Sequence, residues 1–137
     1  MGDPDQIRSL RSHFAGSFVF ELGAVFTSAS PESVSVALDM RPGLATPEGG
    51  THAAVLTGLA ICAGAALGKL HLAPGERAST FQSASNMMGS IHEGWLVATA
   101  TPVHLGSKTL VIQSRVTEKA NGRLLCCASQ TLMRLAA

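Results

Sequence analysis

The chain has 137 residues, of which 46% are hydrophobic and 14% charged, with a formal net charge of +1. That fits one domain spanning 1–137 with enough apolar material for a core, and so thin a charged coat points to apolar surface buried by self-association. No basic stripe stands out, Tyr is absent and Trp occurs once, so the sequence has neither the electrostatic footprint nor the stacking platform of a nucleic-acid binder.

The N-terminus, Met1-Gly2-Asp3-Pro4-Asp5, is acidic and lacks the basic-then-apolar layout of a secretory signal. Gly2 does not complete a myristoylation pattern, because the sixth residue is Gln6. Asp3 is placed to cap a helix, Pro4 suits its first turn, and Gln6 makes a capping-box variant. Ile7, Leu10 and Phe14 then recur at helical spacing, which predicts a short amphipathic helix over about 4–15.

Ser17 to Ser28 is rich in Phe and Val and reads as a strand. Ser30-Pro31-Glu32 is turn chemistry, and Val34, Val36, Leu38 and Met40 alternate with smaller or polar residues as a half-buried strand does. The two strands make a hairpin. A Pro- and Gly-rich loop follows over 41–50, and then the character changes. From Ala53 through Gly68 there is no charged residue, and Ala and Leu dominate. This composition predicts a central helix over about 52–70. The run falls short of the roughly 20 apolar residues of a membrane span and closes with Lys69 and His71, so a helix buried in a soluble domain is expected. Gly58, Gly64 and Gly68 would let a sheet approach that helix closely.

After a turn at 73–76, strand material runs to the end: Ser79–Met88, Trp95–Val103, Thr109–Thr117 and Leu124–Leu135. Asn121-Gly122 predicts a type I′ hairpin turn. Consecutive strands joined by short turns are expected to pair antiparallel. Cys62, Cys126 and Cys127 form no metal or disulfide spacing and read as small buried hydrophobes in a reducing compartment, so a cytoplasmic location and no bound metal are expected. The predicted fold class is therefore α+β: an antiparallel sheet around one long helix, with a short N-terminal helix.

That order resembles the hotdog fold. The stretch Thr46-Pro47-Glu48-Gly49-Gly50-Thr51-His52-Ala53-Ala54 is similar to the loop with which PaaI-like acyl-CoA thioesterases enter their central helix, although Ala53 and Ala54 replace two glycines. The downstream block Asn86-Met87-Met88-Gly89-Ser90-Ile91-His92-Glu93-Gly94-Trp95 also resembles that family's strand, bulge and glycine. The resemblance covers about Leu22 to Leu135. It implies an acyl-CoA ligand bound between two subunits, with coenzyme A as part of the substrate and no other cofactor. It also implies at least a dimer, with a tetramer open.

Thioester hydrolysis needs an activated water or nucleophile, and donors for the oxyanion. A loop entering a helix N-terminus offers free N–H groups and the positive dipole end, so the backbone N–H of Ala53 is the expected oxyanion donor. His52 would orient the loop or touch the carbonyl; its plainer role is a bond to loop backbone. Gly49, Gly50 and Thr51 belong to the same ligand loop. The resemblance further implies a hydroxyl on the next strand, here Thr80. An Asn or Gln six residues before the His is here Thr46. The family's Asp or Glu nine residues after the His is here Ile61, which neither accepts a proton nor attacks carbon.

Two readings follow. One is a thioesterase with a replacement base, for which Glu48 is the nearest carboxylate and Cys62 a weaker candidate. The other is a non-catalytic protein that binds or senses an acyl ligand, with Ile61 lining an apolar slot. A hotdog dehydratase ranks last, because no His–carboxylate pair is evident.

Overall fold

The computed structural model describes residues 3–136, so Met1, Gly2 (with its failed myristoylation pattern) and Ala137 lie outside the described residues. Helix α1, Pro4–Phe14, starts where expected, with the Asp3 carboxylate accepting from the Asp5 N–H at 2.9 Å. Gln6 does not complete a capping box, and its Oε1 is buried without a partner.

The predicted strand over 17–28 is two elements. Phe18–Glu21 forms one helical turn, α2, and the strand β1 covers only Val25–Ser30. The aromatic residues explain the break. Phe20 folds back to stack on Phe26, with ring centroids 4.8 Å apart, and Phe14 packs edge-on against Phe26 at 5.8 Å. A continuous strand could not bring Phe20 and Phe26 together in this way.

Strand β2, Ser33–Met40, pairs with β1 as the expected hairpin. A single 3₁₀ turn at Pro42–Leu44 leads to the central helix α3, Ala53–Lys69. Strands β3, Arg77–Met87; β4, Gly94–Leu105; β5, Thr109–Glu118; and β6, Leu124–Leu135 complete the chain. All pairings are antiparallel, in the order β1-β2-β4-β5-β6-β3. Thus β3 does not pair with β4, its neighbour in sequence, but crosses to the far edge beside β6. The connecting loop is anchored there by Met88 N–H donating to the Leu125 carbonyl at 2.8 Å.

The Asn121-Gly122 turn is not type I′, which needs positive φ at both residues. Only Gly122 has it, at 73°, and the loop is wider: Glu118 N–H donates to Arg123 O and Gly122 N–H to Glu118 O. The Asn121 side chain accepts from Arg123 N–H instead, an Asx turn that fixes the bend locally.

Helix α3 packs against β2 to β6. Alternate residues of the sheet bury toward it in rows across the strands: Val36, Ala98, Val116 and Cys126 form one, and Val34, Ala100, Ser114 and Ala128 the next. The helix buries the small Ala60, Ala63 and Gly64, and Gly64 lies directly against Gln130 of β6, so the sheet approaches the helix closely. Among the described residues no helix is long and apolar enough to cross a membrane.

Candidate functional site

The site is built where the 46–51 loop enters α3. The loop closes on itself through Thr46 N–H to Gly50 O at 2.8 Å and Gly49 N–H to Thr46 O at 2.9 Å. It is also stapled to the β3–β4 connection. Buried Thr51 donates its hydroxyl to the Ile91 carbonyl at 2.9 Å and accepts from the Ile91 N–H at 3.1 Å, while its own N–H donates to that carbonyl. Gly50 lies so close to the Ser90 side chain that a Cβ there would force it to move, and Gly49, at a positive φ of 95°, lies tightly against the His92 imidazole. The two segments that carry the family resemblance are therefore one unit in space. Thr51 is consumed as its clamp, and His92, to which the sequence assigns no role, sits at its rim.

At the start of α3 the four N–H groups without helical partners are nearly accounted for. His52 is the N-cap, its Nδ1 accepting from Ala54 N–H at 2.9 Å. Val55 N–H donates to the His52 carbonyl at 2.9 Å, and His52 N–H donates to the Leu44 carbonyl at 2.9 Å. Ala53 N–H has no partner among the described residues, and Ala53 is exposed. Because Nδ1 of His52 accepts its bond, the ring nitrogen left to donate is Nε2. The His52 side chain thus bonds to the backbone of the helix it caps rather than to that of the loop, and the residue is exposed.

An open groove of about 470 Å³ runs along α3 from Ala54, the residue that follows the Ala53 amide. Ala54, Gly58, Ile61, Cys62 and Ala65 line it on the helix side, and Phe18 and Val19 of α2 on the other. Ser17 and Thr57 are the only hydroxyl-bearing residues in its wall. No carboxylate lines it. Ile61 shares a helix face with Ala54, but stands eight residues from Ala53, about 12 Å along the axis. Glu48 is exposed at the loop tip, with no hydrogen bond or ion pair among the described residues. Burial pushes the Cys62 thiol up to about 12, so it is protonated and unreactive at neutral pH. Thr46 is half-buried in the loop. The Thr80 hydroxyl accepts from Gln130 Nε2 at 2.9 Å, and that nitrogen also reaches the Ile61 carbonyl at 3.2 Å. Gln130 therefore ties β6, β3 and α3 together directly behind Ile61, a role that no local sequence pattern marks.

Beyond Ala65, which belongs to both walls, lies a second cavity of about 290 Å³ at the C-terminal end of α3. His13, Lys69, Glu76 and Arg77 are its titratable lining groups. Glu76 is paired with Arg134 at 2.9 Å and accepts from the Ala73 N–H at 2.8 Å. The Arg134 bond foremost, and the Ala73 bond after it, hold the Glu76 carboxyl below its ordinary range. Burial first, and the Lys69 charge second, hold His13 below the usual histidine range. Both depressed groups bind protons more readily in the unfolded chain, so both stabilise the fold above their unfolded values and lose that effect as pH falls through the folded ones. Thermal unfolding followed by circular dichroism should show Tm falling first below the histidine range and again below the ordinary carboxylate range. Glu76→Gln should abolish the second step; a second step of undiminished size in that variant would remove the assignment.

Among the described residues no three His, Cys, Asp or Glu side chains gather as a metal site would require. No family model and no curated protein matches the chain. Solved structures do. A thioesterase from Haemophilus influenzae superposes with a TM-score of 0.89 at 23% identity, over 95% of this chain and 90% of that one. A mutant thioesterase from Pseudomonas aeruginosa gives 0.89 at 21% identity, over 96% and 94%. A phenylacetic acid degradation-related protein from Ralstonia eutropha gives 0.83 at 19% identity, over 93% and 98%. Likeness at these identities establishes the fold.

Proposed function

From a hotdog fold of the kind that those thioesterases share, we propose that this protein binds an acyl thioester, with coenzyme A as the expected carrier, and hydrolyses it slowly or not at all. One observation carries the reading: the Ala53 N–H, without a partner among the described residues, immediately precedes Ala54, where an apolar groove whose wall holds no carboxylate begins. The amide and the Nε2–H of His52 would hold the thioester carbonyl, and the groove would take the acyl chain. Nothing in the groove wall would activate water.

A second copy of the chain fits the same reading. Strand β3 is an edge of eleven residues, unpaired along its outer side, with Phe81 58% exposed upon it. Long exposed edges of this kind template strand pairing. A dimer, or a tetramer built from dimers, would cover it and bring a second α3 near the first. Three free thiols suit a reducing, cytoplasmic setting.

The test uses palmitoyl-CoA and phenylacetyl-CoA, with binding read by native mass spectrometry and released thiol by a colorimetric assay. Bound thioester with little or no turnover is expected. Brisk turnover lost in Glu48→Gln would make the protein a thioesterase with Glu48 as its base. Brisk turnover retained in that variant would overturn both the binding reading and the Glu48 assignment. A purely monomeric mass would remove the shared site.

A further inference from the structure

The cavity at the C-terminal end of α3 differs from the groove in charge. Three basic side chains converge on it from three elements: His13 from α1, Lys69 from the last turn of α3, and Arg77 from the start of β3. Among the described residues, neither Lys69 nor Arg77 makes an ion pair. The one acid in the wall, Glu76, is already matched by Arg134, which donates to both of its oxygens from outside the lining. Phe14, Ala65, Leu72, Ala78 and Leu132 are apolar, and Thr80 adds one hydroxyl, which accepts from Gln130. The cavity thus combines unspent positive charge with hydrocarbon walls.

Its position relative to the groove is the second observation. Ala65 stands in both walls, so the cavities adjoin along one side of α3. The 17 residues of α3 place Lys69 about 24 Å from Ala53 along the axis, and a lysine side chain leans back toward the helix start. A ligand whose carbonyl meets the Ala53 N–H would therefore bring its far end to the basic residues only if it were long.

We propose that Lys69, Arg77 and His13 form an anion site for the carboxylate at the far end of the acyl chain, and that the favoured ligand is a thioester of a long-chain dicarboxylic acid. This rests on the acyl-thioester reading of the groove. The groove favours hydrocarbon there over the amide-bearing arm of coenzyme A, since its wall offers so little polar side-chain surface to satisfy two amides. An anion between Lys69 and His13 would also offset the repulsion between those two groups, so binding should draw a proton onto His13.

The experiment compares hexadecanedioyl-CoA with palmitoyl-CoA, and free hexadecanedioic acid with palmitic acid, by calorimetry on the full chain. The wild type should prefer the dicarboxylic member of each pair by about tenfold or more, the scale of a hydrogen-bonded charge. In Lys69→Gln/Arg77→Gln that preference should collapse toward unity. Both residues lie at the surface or partly so and make no side-chain hydrogen bond among the described residues, and a thermal melt checks that the variant folds. Proton uptake, read by repeating the titration in buffers of different ionisation enthalpy, should vanish with His13→Gln. An unchanged preference in the double variant overturns the proposal. Equal losses for both thioesters would assign the cavity to the coenzyme A phosphates and overturn it too. If neither thioester binds while the free diacid keeps its lysine-dependent advantage, the anion site stands and the thioester reading falls. If the free diacid has no advantage either, both fall.

Discussion

Gly64→Ala should destabilise the protein by about 2 kcal/mol, the cost of overpacking a filled core, even though alanine is the better helix former by about 1 kcal/mol. The added methyl would occupy the place of the Gln130 carboxamide oxygen. A side-chain end can often swing away cheaply, but this one cannot. Gln130 is buried, and its nitrogen is held between the Thr80 hydroxyl and the Ile61 carbonyl. Moving the amide breaks both bonds inside the core, where unmet polar groups are costly. Urea unfolding monitored by circular dichroism measures the change. Gly64→Ala/Gln130→Ala should recover much of the loss, because the smaller side chain vacates the space. A single variant more stable than wild type would mean that helix propensity wins and that the Gln130 bridge is slack.

Ile61→Asp should raise thioester hydrolysis by about 100-fold, the lower end of what a positioned general base contributes. The new carboxylate would take a proton from water as the water oxygen bonds to the carbonyl carbon, with charge gathering at the Ala53 N–H and the thiolate then leaving. The axial offset of about 12 Å forbids the introduced carboxylate from serving the amide of its own helix. On the proposed shared site, it would act on the thioester held by a second copy. Turnover per chain should therefore fall on dilution below the dimer dissociation range. A folded, thioester-binding Ile61→Asp with no added turnover would show that two copies do not share the site. The substitution places a carboxylate in a half-exposed groove, so its cost to folding is modest beside that of a fully buried charge.

Local signals carried most of the element list. The Asp3 cap, the alternation in β2 and β5, and the uncharged Ala/Leu run of α3 each depend on neighbours within a turn or a pleat, so they are visible in one dimension. The same holds for the helix entry at 52–53, where the N-cap bond is between residues two apart. Signals failed where a distant partner overrides the local one. Phe18–Glu21 has strand composition but winds into a turn because Phe20 finds Phe26. Asn121-Gly122 has the residues of a tight hairpin, yet its loop is widened between Glu118 and Arg123.

The amino-acid order by itself determined an α+β chain with one buried helix, the loop that feeds it, and an isoleucine where the family it resembles carries an acid. The tertiary structure alone decided that β3 lies beside β6, that Gln130 reaches across to Ile61 and Thr80, and that residues 13, 69 and 77 meet at one cavity. Periodicity reports which face of an element is buried but not which element covers it. Those choices are settled only when the sheet closes around the helix and each strand finds the register that fills the space against it.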